Sequence, residues 1–282
     1  MAITDKLLLD QYEISNKYNN VIEDLKSYRR VAIAFSGGVD SALLLKIAAD
    51  TLEENCIALI GISPIFSPQE KESAIETAHF IRVPYEFIET SQLQNPAFIE
   101  NSPDRCFHCR IHFMNDLLQR AKALGFHTLL DGANADDQSD YRPGIMASKQ
   151  LGVRSPFMEA GITKEEIQQL AHLLDLPVWD KPASACLASR IPYGTAITIG
   201  ALDQINAAEN ALKNLGFATI RVRHYHDLAR IELIPAELEQ AINLHQEISK
   251  ALKDTGYTYI TLDLDGFRSG SMNLVLDTSE KS

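Results

Sequence analysis

Residues 31–41 read V-A-I-A-F-S-G-G-V-D-S, and this stretch decides the fold of the chain. The apolar run at residues 31–35 is typical of a buried strand, and the serine and two glycines after it predict a tight turn. A helix then opens, and its first N–H groups and positive end favour an anion where glycines allow a close approach. The turn and the helix start offer Ser36, Gly37, Gly38 and Ser41 to this anion, and Asp40 in the first turn of the helix is suited to a metal ion that accompanies it.

The turn at residues 36–41, S-G-G-V-D-S, resembles the PP-loop of the ATP pyrophosphatase superfamily. The resemblance implies that the turn binds the β,γ-pyrophosphate of ATP and that ATP is cleaved between its α and β phosphates. A Walker loop is excluded, because the turn lacks the G-x-x-x-x-G-K-[ST] pattern and the lysine that holds a γ-phosphate. An ordinary βα turn that contains glycines is the alternative.

The length, charge and composition of the whole chain limit the number of domains and the kinds of partner that it can have. A length of 282 residues favours about two domains. The net charge of −12 does not favour binding to nucleic acid or to an anionic membrane. No apolar run reaches the ~20 residues that cross a bilayer, and no signal-peptide pattern opens the chain. We therefore expect a cytoplasmic protein without a membrane partner, for which nucleic acid is an unfavoured partner.

Strands and helices alternate along the first part of the chain, which predicts an α/β fold with a doubly wound, mostly parallel sheet. Ligands on such sheets bind at the carboxyl ends of the strands, where the glycine turn lies. The predicted strands cover residues 31–35, 56–63, 85–89 and 128–130. The predicted helices cover residues 1–29, 40–52, 68–81, the stretch after residue 110 to about residue 124, and 163–175.

A loop at residues 181–194 contains two prolines and a glycine and predicts a domain boundary. Residues 1–185 then form the PP-loop domain, and residues 195–282 form a smaller C-terminal α+β domain. Within this smaller domain we expect helices at residues 198–215 and 235–255, and strands at residues 218–224, 228–233 and 259–264.

Two further features follow strands of the predicted sheet. Ser63 ends the second strand, which in PP-loop enzymes lies over the adenine, so the resemblance implies that Ser63 lines the base. Residues 131–137, D-G-A-N-A-D-D, follow the fourth strand and offer oxygen ligands for Mg²⁺ or a ribose. A turn capped by its own Asn and Asp side chains is the alternative interpretation of this run.

Three of the four cysteines form the second strong signal. Cys106 and Cys109 have the C-x-x-C spacing, and Cys186 lies far along the chain in a loop. Three thiolates suit a [4Fe–4S] cluster with one open iron, or a zinc site that takes His112 as its fourth ligand. A redox disulfide between Cys106 and Cys109 is a third possibility. Cys56 belongs to an apolar strand and is interpreted as a core residue.

The third signal is a group of arginine residues. Arg221 and Arg223 alternate along a predicted strand and therefore share one face of it, and Ser189 with Arg190 could join them. Guanidinium groups arranged in this way suit a phosphate. The alternative is that these arginines only pair with some of the 38 acidic residues.

Several motifs together are similar to the LarE family, over about residues 25–272. They are the PP-loop, D-G-A-N-A-D-D-Q-S-D-Y-R-P-G, A-C-L-A-S-R-I-P-Y-G, R-V-R-H-Y-H-D-L-A-R-I-E-L and the closing G-F-R-S-G. The resemblance implies an ATP-dependent sulfur transferase of nickel-pincer cofactor biosynthesis. Its substrate would be pyridinium-3,5-biscarboxylic acid mononucleotide, whose carboxylates are adenylated and converted to thiocarboxylates.

The resemblance also implies cofactors and residue roles. ATP, Mg²⁺ and a [4Fe–4S] cluster are the implied cofactors, and a homo-oligomer, a trimer or a hexamer, is the implied assembly. The PP-loop residues would hold the pyrophosphate, and the smaller domain would hold the substrate's phosphate through Ser189, Arg190, Arg221 and Arg223. Cys106, Cys109 and Cys186 would bind the cluster that delivers sulfur. Some family members instead give up the sulfur of a single cysteine, and Cys186 could act in that way.

Three competing functions remain. A PP-loop tRNA thiolase with an iron–sulfur cluster needs a broad basic face, and the net charge of −12 speaks against one. An amide-forming ligase of the NAD or GMP synthetase kind would give the three cysteines no task. A non-catalytic sensor of nucleotide and metal would release no pyrophosphate.

Overall fold

The computed structural model describes residues 12–138, 143–182, 185–268 and 270–275. These residues divide into two compact units. Unit 1 runs to Gln92 and resumes at Cys106, whereas unit 2 comprises Leu93–Arg105 and resumes at Ala185. The sequence pattern did not indicate that the short segment Leu93–Arg105 groups with the C-terminal unit. The functional division at residues 185 and 195 stays a prediction.

Seven strands and eleven helices are formed by the described residues. The strands are β1 (Val31–Ala34), β2 (Cys56–Ile62), β3 (Tyr85–Glu89), β4 (Thr128–Leu130), β5 (Ile220–Tyr225), β6 (Leu228–Leu233) and β7 (Tyr259–Leu262). The helices are α1 (Tyr12–Tyr28), α2 (Val39–Leu52), α3 (Pro68–Ile81), α4 (Pro96–Ile99), α5 (Arg105–Ala123), α6 (Pro143–Gln150), α7 (Pro156–Glu159), α8 (Lys164–Leu173), α9 (Ile199–Asn214), α10 (Leu238–Asn243) and α11 (His245–Asp254).

The sheet of unit 1 is parallel and has the strand order β3-β2-β1-β4. β1 is central, because Val31 pairs with Cys56 on one side and with Thr128 on the other. Helices flank this sheet, which confirms the predicted α/β fold. No helix among the described residues has the length and apolar character needed to span a membrane.

The two faces of β1 are buried in two different cores, as expected for a central strand of a doubly wound sheet. Val31 and Ile33 contribute to one cluster of buried residues, and Ala32 and Ala34 contribute to the other. Helix α2 adds most of its apolar side chains to the first cluster. The turn between β1 and α2 is therefore held by two deeply buried elements.

Helix starts in unit 1 follow the predicted capping chemistry. The Thr163 side chain accepts from the Glu166 backbone while the Glu166 side chain reaches back, so α8 has the predicted capping box. Ser67 and Glu70 form a second capping box at α3, with a proline at its first turn. Such local signals explain why several predicted boundaries lie within a residue or two of the observed ones.

Unit 2 contains a three-stranded mixed sheet in the order β5-β6-β7. β5 and β6 are antiparallel, and β6 and β7 are parallel. One prediction here is wrong, because the single helix expected at residues 235–255 is divided into a 3-10 turn, α10 and α11. The backbone of Leu244 leaves the helical region, with φ −94° and ψ 21°, and ends α10 there. The small α+β architecture itself is confirmed.

Candidate functional site

The turn after β1 has a backbone that requires glycine. Gly37 has a φ of +71°, in the left-handed region that side chains other than glycine rarely adopt. A Cβ at Gly37 would lie only 2.8 Å from the Cα of Ala74 in α3. The turn is therefore fixed by its conformation and by its contact with α3.

The start of α2 is left open toward the turn. Gly38 is the N-cap residue and forms no side-chain cap, and its own N–H donates to the Ser36 hydroxyl over 3.4 Å. The Ser41 hydroxyl lies 3.1 Å from the Ser36 hydroxyl and donates to the Gly38 carbonyl over 3.1 Å. Uncapped backbone donors, flanked by two hydroxyl groups, form an environment suited to an anion. The structure thus brings the predicted PP-loop residues together in the predicted strand–turn–helix.

Asp40, in the first turn of α2, is already engaged by two other side chains. The Lys164 ammonium forms an ion pair with its Oδ2, and the Asn134 amide donates to its Oδ1 over 3.2 Å. The sequence did not indicate Lys164 as a site residue, because Lys164 directly follows the N-cap Thr163 and no other local signal distinguishes it. Asp40 therefore has one oxygen in an ion pair with Lys164 and one that accepts a single hydrogen bond, so a cation would share its carboxylate with Lys164.

The acidic run after β4 is held in a structured turn. Asp131 is buried and accepts from the Arg110 guanidinium and from the Ser155 hydroxyl, each over 2.6 Å. Asp137 accepts from the backbone N–H of Asn134 over 3.0 Å. The Asp137 bond favours the interpretation as a turn capped by its own side chains, whereas Asp131 is held by residues outside the run and Asn134 reaches Asp40. A Mg²⁺ or ribose role for this run stays a prediction.

Ser63 follows β2 at the carboxyl edge of the sheet, where the sequence predicted it to lie. Its side chain is buried, and its hydroxyl has no hydrogen-bond partner among the residues described. An unsatisfied buried hydroxyl costs free energy that a ligand or a water can recover. Its predicted contact with adenine stays a prediction.

The C-x-x-C motif lies inside a helix, not before one as expected. α5 begins at Arg105, so Cys106 and Cys109 stand three residues apart on one helical face. Neither cysteine is in a disulfide, and Cys106 is exposed whereas Cys109 is half-buried. The next residue, Arg110, fixes the helix to the sheet through its ion pair with Asp131 at 2.6 Å.

Cys186 is a half-buried cysteine of unit 2 that is in no disulfide, and it lies immediately before a 3-10 turn at residues 187–190. The three predicted cysteines are thus divided between the units, two in one and one in the other. Within the described parts of the chain, no group of three or more His, Cys, Asp or Glu side chains could hold a metal ion. The joint cluster site stays a prediction.

Two of the three predicted arginines in unit 2 have buried carboxylate partners. Arg190 contacts Glu209 through two parallel bonds, Nε to Oε1 at 2.9 Å and Nη2 to Oε2 at 3.0 Å. Arg223 Nη2 lies 2.5 Å from Oε2 of Glu232 and also donates to the Ser271 hydroxyl. The Ser189 carbonyl accepts from Arg223, so this serine supports the arginines. Arg190 and Arg223 therefore pair with acidic residues, as in the alternative interpretation, and also donate to backbone carbonyls and serine hydroxyls.

Arg221 is different, because no carboxylate of the described residues lies within ion-pair distance of it. Its guanidinium donates to the Ile220 carbonyl over 2.7 Å and lies 5.2 Å from the centre of the Phe267 ring. Burial, and then the like charge of Arg190, lowers the pKa of Arg221. A half-buried cation with like charges nearby and no paired carboxylate is a favourable place for an anion.

Comparison with known proteins was consistent with this geometry. The PP-loop domain family matches residues 10–140. The chain is 41% identical over 265 residues to an uncharacterised protein of Synechocystis, covering 93% of this chain and 99% of the relative. It is 37% identical over 268 residues to the pyridinium-3,5-bisthiocarboxylic acid mononucleotide synthase of Lactiplantibacillus plantarum, covering 95% and 97%. It is 32% identical over 251 residues to an uncharacterised protein of Methanocaldococcus jannaschii, covering 89% and 95%.

Proposed function

The chain belongs to the LarE family of PP-loop ATP pyrophosphatases and is an ATP-dependent sulfurtransferase, and from this premise we propose that its substrate is pyridinium-3,5-biscarboxylic acid mononucleotide. Both carboxylates would become thiocarboxylates, and the product would serve nickel-pincer cofactor biosynthesis. The similarity to a synthase named for the bisthiocarboxylic product, over 97% of that synthase, is the observation that carries the proposal. We further propose a homo-oligomer, a trimer or a hexamer, that acts in the cytoplasm.

Adenylation solves a chemical problem of the substrate. A carboxylate is a poor electrophile, since its leaving group would be oxide. When a carboxylate oxygen attacks the α-phosphorus of ATP, an O–P bond forms, the bond from the α-phosphorus to the bridging oxygen breaks, and pyrophosphate leaves with the electron pair. AMP then becomes the leaving group of the acyl-adenylate, and a sulfur nucleophile displaces it as the C–S bond forms.

The residues of the PP-loop would act on the pyrophosphate. Backbone N–H groups at the open start of α2 and the hydroxyls of Ser36 and Ser41 donate to anionic oxygens as charge develops. The PP-loop domain implies that ATP binds with Mg²⁺. Asp40 is the carboxylate suited to this ion, since carboxylate oxygens are its preferred protein ligands. When bound, Mg²⁺ supplies positive charge to the phosphate oxygens.

The substrate's phosphate would be held in unit 2. Arg221 provides a cation that no carboxylate of the described part neutralises, and Arg190, Arg223 and Ser189 would surround the same anion. Arginine suits this task, because its planar guanidinium can donate two parallel hydrogen bonds to a phosphate. Phosphate binding would thus orient the carboxylates of the pyridinium ring.

Sulfur delivery would use the three cysteines. Cys106 and Cys109 lie on one helical face and are in no disulfide, and Cys186 is a third such cysteine, so their chemistry fits the ligand set of a [4Fe–4S] cluster. Cys106, Cys109 and Cys186 would hold such a cluster, and the cluster would supply the sulfur nucleophile. In the alternative route Cys186 itself gives up its sulfur and becomes dehydroalanine.

The reaction is tested by mass spectrometry of the nucleotide and of the intact protein after turnover. We expect pyrophosphate release that depends on the mononucleotide, and a product in which sulfur replaces one oxygen of each carboxylate. Pyrophosphate release without a thiocarboxylate product would contradict the proposed sulfur transfer. A protein that has lost the mass of H₂S would support the sacrificial route through Cys186.

Substitution of Cys106 by serine tests the cluster. After anaerobic reconstitution with iron and sulfide we expect roughly four irons per chain and a broad visible absorption, both lost in Cys106→Ser. Cys56→Ala is the matched control, because Cys56 is buried in the core and burial raises its pKa to about 12, which keeps it a thiol. A colourless wild-type protein loaded with zinc would contradict the cluster.

A further inference from the structure

Lys181 contacts the PP-loop although it lies far from it in sequence. Its ammonium donates to the Gly37 carbonyl over 3.0 Å and to the Ser73 hydroxyl of α3 over 2.7 Å. Lys181 belongs to unit 1, like the loop itself. A lysine that the turn lacks in sequence is therefore supplied by another segment of the chain.

The charge of Lys181 is not neutralised by a carboxylate. In the described ranges no carboxylate lies within ion-pair distance of its ammonium, whereas Lys17, Lys46 and Lys164 each pair with an acidic side chain. Glu70, the carboxylate that acts on Lys181 through space, is used in the capping box of α3. Burial lowers the pKa of Lys181. A partly desolvated cation without a counter-ion is costly unless an anion binds beside it.

The geometry leaves a donor for such an anion. An ammonium group has three N–H donors, and the Gly37 carbonyl and the Ser73 hydroxyl take two of them. The carbonyl of Gly37 is part of the same turn as the hydroxyls and the open helix start. We propose that Lys181 is a direct ligand of the pyrophosphate that leaves ATP, and performs the task of the lysine that a Walker loop carries within its turn.

This assignment rests on the proposed function only for its first step, the adenylation. When the bond between the α-phosphorus and the bridging oxygen breaks, negative charge on the departing pyrophosphate rises. The ammonium of Lys181 is already in place, so it stabilises the leaving group without a proton transfer or a rearrangement. Its effect is expected mainly on the turnover number, because the charge is greater in the transition state than in bound ATP.

Two variants and one matched control test the assignment through pyrophosphate release. Lys181→Met is expected to lower kcat by about tenfold to a hundredfold, as for loss of one charged hydrogen bond, and Lys181→Arg to restore part of it. Lys46→Met is the control, because Lys46 lies on α2 and pairs with Asp50. Thermal unfolding of Lys181→Met should be unchanged or occur at higher temperature, since a partly buried cation is removed. A kcat equal to that of wild type would overturn the assignment.

Labelling of the wild-type protein gives a readout that does not depend on the sulfur substrate. Lys181 should be acetylated by an amine-directed reagent, as followed by peptide mass spectrometry, and Mg²⁺ with inorganic pyrophosphate should protect it. Lys46 should be labelled equally in both conditions. Equal labelling of Lys181 with and without pyrophosphate would overturn the assignment. Protection of Lys181 in a protein that never releases pyrophosphate with the mononucleotide supports the assignment and refutes the proposed substrate.

Discussion

Replacing Gly37 with alanine will lower the kcat/KM of ATP-dependent pyrophosphate release by about 10²–10³-fold. The residue has a φ of +71°, and a Cβ placed there would lie 2.8 Å from Cα and 3.0 Å from N of Ala74. These are backbone atoms of α3, so no side-chain rotation can relieve the contact. The turn must move away from α3, and its N–H groups and hydroxyls then lose their alignment with the pyrophosphate.

The free energy of unfolding should fall in the same variant by about 2–4 kcal/mol, the sum of left-handed strain and overpacking. Gly152→Ala is the matched control, because Gly152 has a φ of +75° and nothing within 4 Å of an added Cβ. In this control the free energy of unfolding should fall only by the left-handed strain, about 1 kcal/mol, and pyrophosphate release should be unchanged. Urea unfolding and steady-state kinetics measure both effects. Wild-type kinetics in Gly37→Ala would show that the turn does not need this conformation.

The sequence could predict the anion turn because its signals are local. A buried strand, two glycines and a helix start follow each other within residues 31–41, and each imposes its own structure. The same holds for the capping boxes of α3 and α8. The predicted ends of such elements lie close to the observed ones. By contrast, the pattern predicts one helix over residues 235–255 where the structure has α10 and α11, because Leu244 carries no sequence signal of a helix end.

Contacts that join distant segments could not be predicted in this way. Lys164 reaches Asp40 across 124 positions, and Lys181 reaches Gly37 across 144. Neither lysine has a spacing or a neighbour that distinguishes it from a solvated one. Residues 36–41 contain no lysine, but the folded chain brings Lys181 to the carbonyl of Gly37.

The arginine cluster shows the same limit. Alternation along a strand placed Arg221 and Arg223 on one face, but it could not say which arginine would find a carboxylate. Arg221 stands opposite Glu232 in the register of β5 and β6, yet Glu232 forms its ion pairs with Arg223 and Arg230. The choice depends on side-chain packing, which no sequence pattern encodes. It leaves Arg221 as the member of this arginine group that forms no ion pair with a carboxylate of the described residues.

This difference leads to opposite effects on stability for two neighbouring arginines. Arg221→Met should leave the free energy of unfolding unchanged or raise it, because it removes a half-buried cation that is near other cations. Arg190→Met should lower it by about 3–5 kcal/mol, since the buried carboxylate of Glu209 loses its cation. Urea unfolding of both variants makes the comparison within one unit.

Binding should separate Arg221 from a structural role. Arg221→Met is expected to weaken binding of the mononucleotide by about 10²-fold or more, as for the loss of one partner of a desolvated charge pair. The corresponding nucleoside, which lacks the phosphate, should bind wild type and variant equally. Calorimetric titration of both ligands into both proteins forms a cycle that isolates the interaction of Arg221 with the phosphate. Equal losses for the two ligands would assign Arg221 to the architecture of unit 2 and remove the predicted phosphate site.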